Sequence, residues 1–105
     1  MIELNKDNFE EEVLKAEGTV LVDFWSPSCE PCKALMPFVH GLEEKHVDKI
    51  KFTSLDITKA RRVAIGQKVL GLPVIAIYQN GERIDSVVGD EATEKSVEEL
   101  IKKYY

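Results

Sequence analysis

Residues 19–25, Thr-Val-Leu-Val-Asp-Phe-Trp, form a run of β-branched and aromatic side chains with one charged interruption. A strand with one wet face would alternate apolar and polar residues, so this run reads as a strand buried on both faces. That constrains the fold more than any other segment, because a sheet covered on both sides needs helices on both sides. Ser26-Pro27-Ser28 breaks the run. From about Glu30 to His46 the periodicity turns helical, with Leu35, Phe38, Val39 and Leu42 on one face. Pro37 falls inside this helix, lacks an amide donor, and is predicted to kink it.

The rest of the chain keeps switching between the two periods. A first strand near 2–4 and a helix near 7–16 precede the buried run. Residues 50–57 alternate in strand fashion, and a short helix follows around 59–67. Gly71-Leu72-Pro73 leads into a strand at Val74–Tyr78, and Asn80-Gly81 is a strong hairpin signal joining it to Arg83–Val88. The last helix spans Thr93 to about Tyr104, with Val97, Leu100, Ile101 and Tyr104 on one face. Thr93 caps its start, whereas Ser96 is not expected to complete a capping box. The order is β-α-β-α-β-α-β-β-α. Strand–helix–strand crossovers demand parallel neighbours and the closing hairpin an antiparallel one. The expectation is an α/β fold, one domain over residues 1–105, with a mixed central sheet of five strands flanked by four helices.

Fourteen basic against nineteen acidic side chains leave a formal charge of −5, which argues against nucleic acid or an anionic membrane as partner. The basic pairs Arg61–Arg62 and Lys102–Lys103 are too short for a binding stripe and read as solvated surface. The longest apolar run, Val74–Tyr78, is too short to cross a bilayer. The start of the chain lacks the basic and apolar pattern of a secretory signal. The expected location is the cytoplasm, and the expected state a monomer.

Two cysteines in a reducing compartment are not expected to serve as a structural staple, and Cys29 and Cys32 are too close in sequence for their bridge to remove much chain entropy. Their spacing at the start of a helix suits disulfide exchange instead. One turn brings the sulfurs within bonding reach, while the unpaired N–H groups and the positive end of the helix dipole stabilise a thiolate. Pro31 falls in the first turn, where its missing N–H costs nothing. Cys29, the more exposed of the two, is the expected nucleophile and Cys32 the resolving thiol. Lys33 adds positive charge nearby. A zinc site would need further ligands, and the chain offers only His40 and His46. These lie eight and fourteen residues beyond Cys32 on the same helix, about 12 and 21 Å away at ~1.5 Å per residue. No metal is expected. A C-x-x-C pair beside a βαβ pattern reads as a redox motif.

At this point the sequence resembles the thioredoxin family. Val22-Asp23-Phe24-Trp25-Ser26 followed by Cys29-Glu30-Pro31-Cys32-Lys33 resembles the family's strand and active-site segment, and Met36-Pro37 its kinked helix. Gly71-Leu72-Pro73 resembles its cis-proline loop, Asn80-Gly81 its hairpin turn, and Gly89 the glycine near its active site. The resemblance implies a protein disulfide reductase with no bound cofactor, its redox centre being the Cys29–Cys32 pair. Its implied partners are thioredoxin reductase and disulfide-containing proteins.

The resemblance also assigns roles. Cys29 would attack a target disulfide and Cys32 would resolve the mixed disulfide. Asp23 would be the buried acid/base that takes the Cys32 proton, its pKa raised by burial; the alternative is a strand end in water. Pro73 would be cis, and the Leu72–Pro73 backbone would pair with the substrate chain beside Trp25 and Gly89. Three departures accompany the match. Ser28 replaces a tryptophan common before the first cysteine, removing a flat apolar docking surface. Glu30 replaces a glycine, and its charge is expected to oppose the Cys29 thiolate and make the couple more reducing. Ser54 replaces a lysine that commonly accompanies the buried aspartate, which should make Asp23 harder still to ionise. Two other readings stay open: an oxidase or isomerase of the same fold, and an interaction module without turnover.

Overall fold

The computed structural model describes residues 1–46 and 48–105. The central run forms strand β2 (Thr19–Trp25), flanked by β3 (Ile50–Asp56) and β4 (Val74–Gln79); β1 (Ile2–Leu4) and β5 (Glu82–Val88) lie at the edges. The sheet order is β1-β3-β2-β4-β5. β3 runs parallel to both β1 and β2, while β4 runs antiparallel to β2 and β5, so the mixed five-stranded sheet expected from the crossovers and the hairpin is present.

The two-faced burial of β2 follows from its alternation. Val20, Val22 and Phe24 point into one core, with Phe9, Val13, Ala64 and Tyr78. Leu21 points into the other, with Leu35, Val39 and Leu42 of α1 (Glu30–His46) and with Val97, Leu100 and Ile101 of α3 (Glu94–Tyr104). Asp23, two residues beyond Leu21, shares that second face. α1 runs through Pro37 without a break. The first core is covered by α2 (Arg61–Gly66) and by a helical segment near the amino terminus.

That segment is shorter than the helix expected near 7–16: a π-helical turn at Glu10–Leu14, closed by a Lys15 N–H to Glu10 carbonyl bond of 2.8 Å. Asn5 and Asn8 start it, each accepting a backbone N–H from the other through its side chain, at 2.9 and 2.6 Å. The capping expectation for α3 needs correction. Ser96 does complete a reciprocal box, accepting from the Thr93 N–H at 2.9 Å while Thr93 Oγ1 accepts from the Ser96 N–H at 3.1 Å. A hydroxyl suffices in place of a longer acid because the chain before Thr93 folds back, and Ser96 Oγ also donates to the Glu91 carbonyl at 2.6 Å. At the hairpin, Asn80 (φ 55°) and Gly81 (φ 81°) adopt the left-handed turn that their dipeptide signals. A Cβ at Gly81 would sit 2.8 Å from the Leu14 carbonyl oxygen, so this turn also depends on close packing.

Candidate active site

Strand register brings the candidate residues to one end of the sheet. Trp25 closes β2 opposite Asp56 of β3, and Phe24 pairs with Val74 of β4, which in turn pairs with Val88 of β5. Pro73, just before Val74, and Gly89, just after Val88, therefore lie at the same end as the Ser26–Cys29 loop. The Leu72–Pro73 peptide is cis, as the resemblance implied. Pro73 is buried, and its carbonyl accepts the Gly89 N–H at 2.8 Å, tying these two positions together. Gly89 itself has φ 61°, a conformation that favours glycine.

Cys29 and Cys32 form a disulfide with their Cα atoms 5.3 Å apart. Cys29 lies immediately before α1 and is partly exposed, whereas Cys32 inside the first turn is 1% exposed. The Cys32 N–H donates to Cys29 Sγ at 3.2 Å, so a first-turn amide faces the outer sulfur. Such an amide, with the helix dipole behind it, stabilises negative charge on that sulfur. Pro31 is exposed in the first turn of α1. Glu30 is 84% exposed and paired with Lys33 at 3.2 Å, so the charge expected to oppose a thiolate is partly offset by its own neighbour. Ser28 is exposed, and its hydroxyl lies 3.3 Å from that of buried Ser26.

Asp23 is 1% exposed, and its Oδ2 has no hydrogen-bond partner among the described residues. Burial pushes its carboxyl up from 3.8 to about 7, in the direction expected from its apolar neighbours. Ser54 faces it in register on β3 and is 8% exposed. Trp25 and Ser54 together line two adjoining grooves, of about 390 and 290 Å³. Leu72 is half-buried before the cis peptide.

His40 is exposed, while the ring of His46 packs edge-on against Tyr105 with centroids 4.1 Å apart. Among the described residues no three His, Cys, Asp or Glu side chains are grouped to hold a metal ion, and no helix is long and apolar enough to cross a membrane. Sequence reading missed the surroundings of Ser28. Arg61, Ile57, Ile65 and Val69 line a groove that also includes Ser26 and Ser28. The available signal was the basic run at 59–62 directly after a strand that ends beside the cysteines.

The Thioredoxin family model matches residues 1–103. A thioredoxin of Acetoanaerobium sticklandii is 57% identical over 104 residues, covering 99% of each chain. One of Peptoclostridium acidaminophilum is 46% identical over 104 residues, covering 99% of this chain and 94% of its own. A thioredoxin sequence of Tissierella creatinophila, 44 residues matched along its whole length, is 89% identical over 42% of this chain. With the match spanning both cysteines, and their sulfurs joined at the head of α1, the chain belongs to the thioredoxin family of protein-disulfide oxidoreductases.

Proposed function

We propose that the chain is a cytoplasmic, monomeric, single-domain carrier of reducing equivalents, recharged by thioredoxin reductase, with the work divided among the side chains at the head of α1. Cys29 attacks a target disulfide as a thiolate; its sulfur bonds to one target sulfur as the target disulfide breaks. Cys32 then loses its proton and displaces the target sulfur from Cys29. The products are the protein disulfide and a target dithiol, two electrons and two protons richer. Asp23 takes the Cys32 proton: it lies on the sheet face that α1 covers, and a carboxyl with a pKa of about 7 can both accept and release a proton near neutrality.

Around the reacting pair, the Leu72–Pro73 backbone and Gly89 receive the target chain beside Trp25, while Ser28, Glu30, Pro31, Lys33 and Ser54 tune the potential. No added cofactor is required, because the electrons reside on the sulfurs. The single observation that carries the reading is the asymmetry of the pair: one sulfur partly open to solvent and facing a helix amide, the other buried beneath it. The reading is tested by insulin-disulfide reduction with dithiothreitol as the electron source. The wild-type chain is expected to accelerate precipitation of the freed insulin chain, and Cys29→Ser and Cys32→Ser to abolish the acceleration. Full acceleration by Cys29→Ser would overturn the reading. An oxidase or isomerase role finds no specific support in the geometry.

A further inference from the structure

The basic residues at 59–62 look like ordinary surface in the sequence, yet Arg61 opens α2 beside the loop that carries the disulfide. Between that loop and α2 runs a groove of about 380 Å³, walled by Ser26, Ser28, Ile57, Arg61, Ile65 and Val69. Its size falls near the lower end of the ~300–1,000 Å³ typical of ligand clefts, room for a side chain or two and no more. Ser28 directly precedes Cys29, so the groove ends against the backbone of the reacting sulfur. Branched aliphatic side chains provide much of its lining, two serines, a threonine and a guanidinium its polar edge, and among the described residues no carboxylate lines it.

Two further observations give the groove a partner of definite chemistry. Ile65 (71% exposed) and Leu70 (95%) are the most exposed large apolar side chains among the described residues, and both lie on the α2–β4 stretch. Of the two, Ile65 lines the groove, and apolar exposure next to a reactive group marks a contact surface more than isolated exposure does. Lys59, Arg61 and Arg62 are exposed and make no ion pair among the described residues, so three cations stand within four positions of a chain whose net charge is −5. Of these, Arg61 lines the groove, and charge complementarity there favours a carboxylate, which a guanidinium can bind through two parallel hydrogen bonds.

We propose that this groove selects disulfide substrates carrying a large apolar side chain next to the reacting cysteine and a carboxylate beyond it. The apolar side chain would lie over Ile57, Ile65 and Val69, with the carboxylate paired to Arg61. The inference rests on Cys29 being the attacking sulfur and adds the flanking chemistry of the substrate. The exchange itself is unchanged: the substrate disulfide gains two electrons and two protons from the Cys29–Cys32 dithiol, which closes to a disulfide.

The test uses the reduced full-length chain and disulfide-looped synthetic peptides that differ only in the two residues following one cysteine: Phe then Glu, Phe then Gln, Phe then Lys, and Ser then Glu. Single-turnover reduction is followed by acid quench and chromatography. The wild-type chain is expected to reduce the Phe-Glu peptide about three- to ten-fold faster than the Phe-Gln or Ser-Glu peptide, the range of a rim charge or a small apolar contact. Added salt should compress the Glu-over-Gln ratio. Arg61→Glu should reverse the order so that Phe-Lys outruns Phe-Glu, a reversal that misfolding cannot produce. Ile65→Ser should remove the advantage of Phe over Ser. Equal rates for the Phe-Glu and Phe-Gln peptides, or a Glu preference that survives Arg61→Glu, would overturn the selection alone. Peptides reduced equally fast by Cys29→Ser would overturn the selection and the role of Cys29 together.

Discussion

Replacing Asp23 by asparagine should stabilise the oxidised protein at pH 8 and leave it nearly unchanged at pH 3.5. The carboxyl is 1% exposed with Oδ2 unpartnered, and burial lifts its pKa from 3.8 to about 7. The folded chain therefore keeps this proton through a range in which the unfolded chain has already lost it. The stability that protonated Asp23 contributes is fully present below about 3.8, falls as pH rises, and is gone above about 7. At about 1.4 kcal/mol per pH unit, that interval corresponds to about 4 kcal/mol. Asparagine has nearly the same shape and never ionises, so the variant escapes the loss. With an urea dependence of about 1.5 kcal/mol per molar, its unfolding midpoint should exceed that of wild type by about 2–3 M at pH 8. Urea titrations of both oxidised proteins from pH 3.5 to 8.5, followed by circular dichroism, provide the assay. A gap that stays the same at every pH, or no gap at pH 8, would refute the reasoning. The same variant lacks the proposed proton acceptor for Cys32, so it should turn over insulin more slowly while folding more firmly.

Ser54→Lys would place an ammonium in register with Asp23 on the neighbouring strand, and should draw the Asp23 pKa down from about 7 toward the ordinary carboxylate range; NMR titration of the carboxyl carbon would show this, and an unmoved titration would count against it. Glu30→Gln should speed alkylation of Cys29 by iodoacetamide in the reduced protein at neutral pH. The gain should be only about two-fold, because Glu30 is 84% exposed and already paired with Lys33. An unchanged or lower rate would mean that Glu30 does not oppose the thiolate.

Much of this arrangement was legible because strong local signals coincide with tertiary demands. The Thr19–Trp25 run required two covered faces, and Asn80-Gly81 required a hairpin; both appear where the residues place them. The burial of Asp23 was legible from its apolar neighbours, and the cis Leu72–Pro73 peptide only from resemblance, since local preference favours trans. In place of the helix expected near 7–16 stands a π turn, from which Phe9 and Val13 are buried in the core and Leu14 and Ala16 pack partly against it. Ser96 completes the capping box although its side chain is short, and its further hydrogen bond to the Glu91 carbonyl depends on how the preceding chain turns, which periodicity does not encode. From the sequence alone Arg61 reads only as solvated surface, for a similar reason. Its place beside Ser28 arises from the crossover that returns α2 toward the end of β2, a relation between segments distant in sequence.

The central claim is that the outer sulfur attacks and the inner one resolves. Cys32→Ser, incubated reduced with insulin and analysed by intact mass and peptide mapping, should accumulate a mixed disulfide through Cys29, and Cys29→Ser should accumulate none. Adduct formed at Cys32 in equal yield, or no adduct from Cys32→Ser, would contradict that order of events.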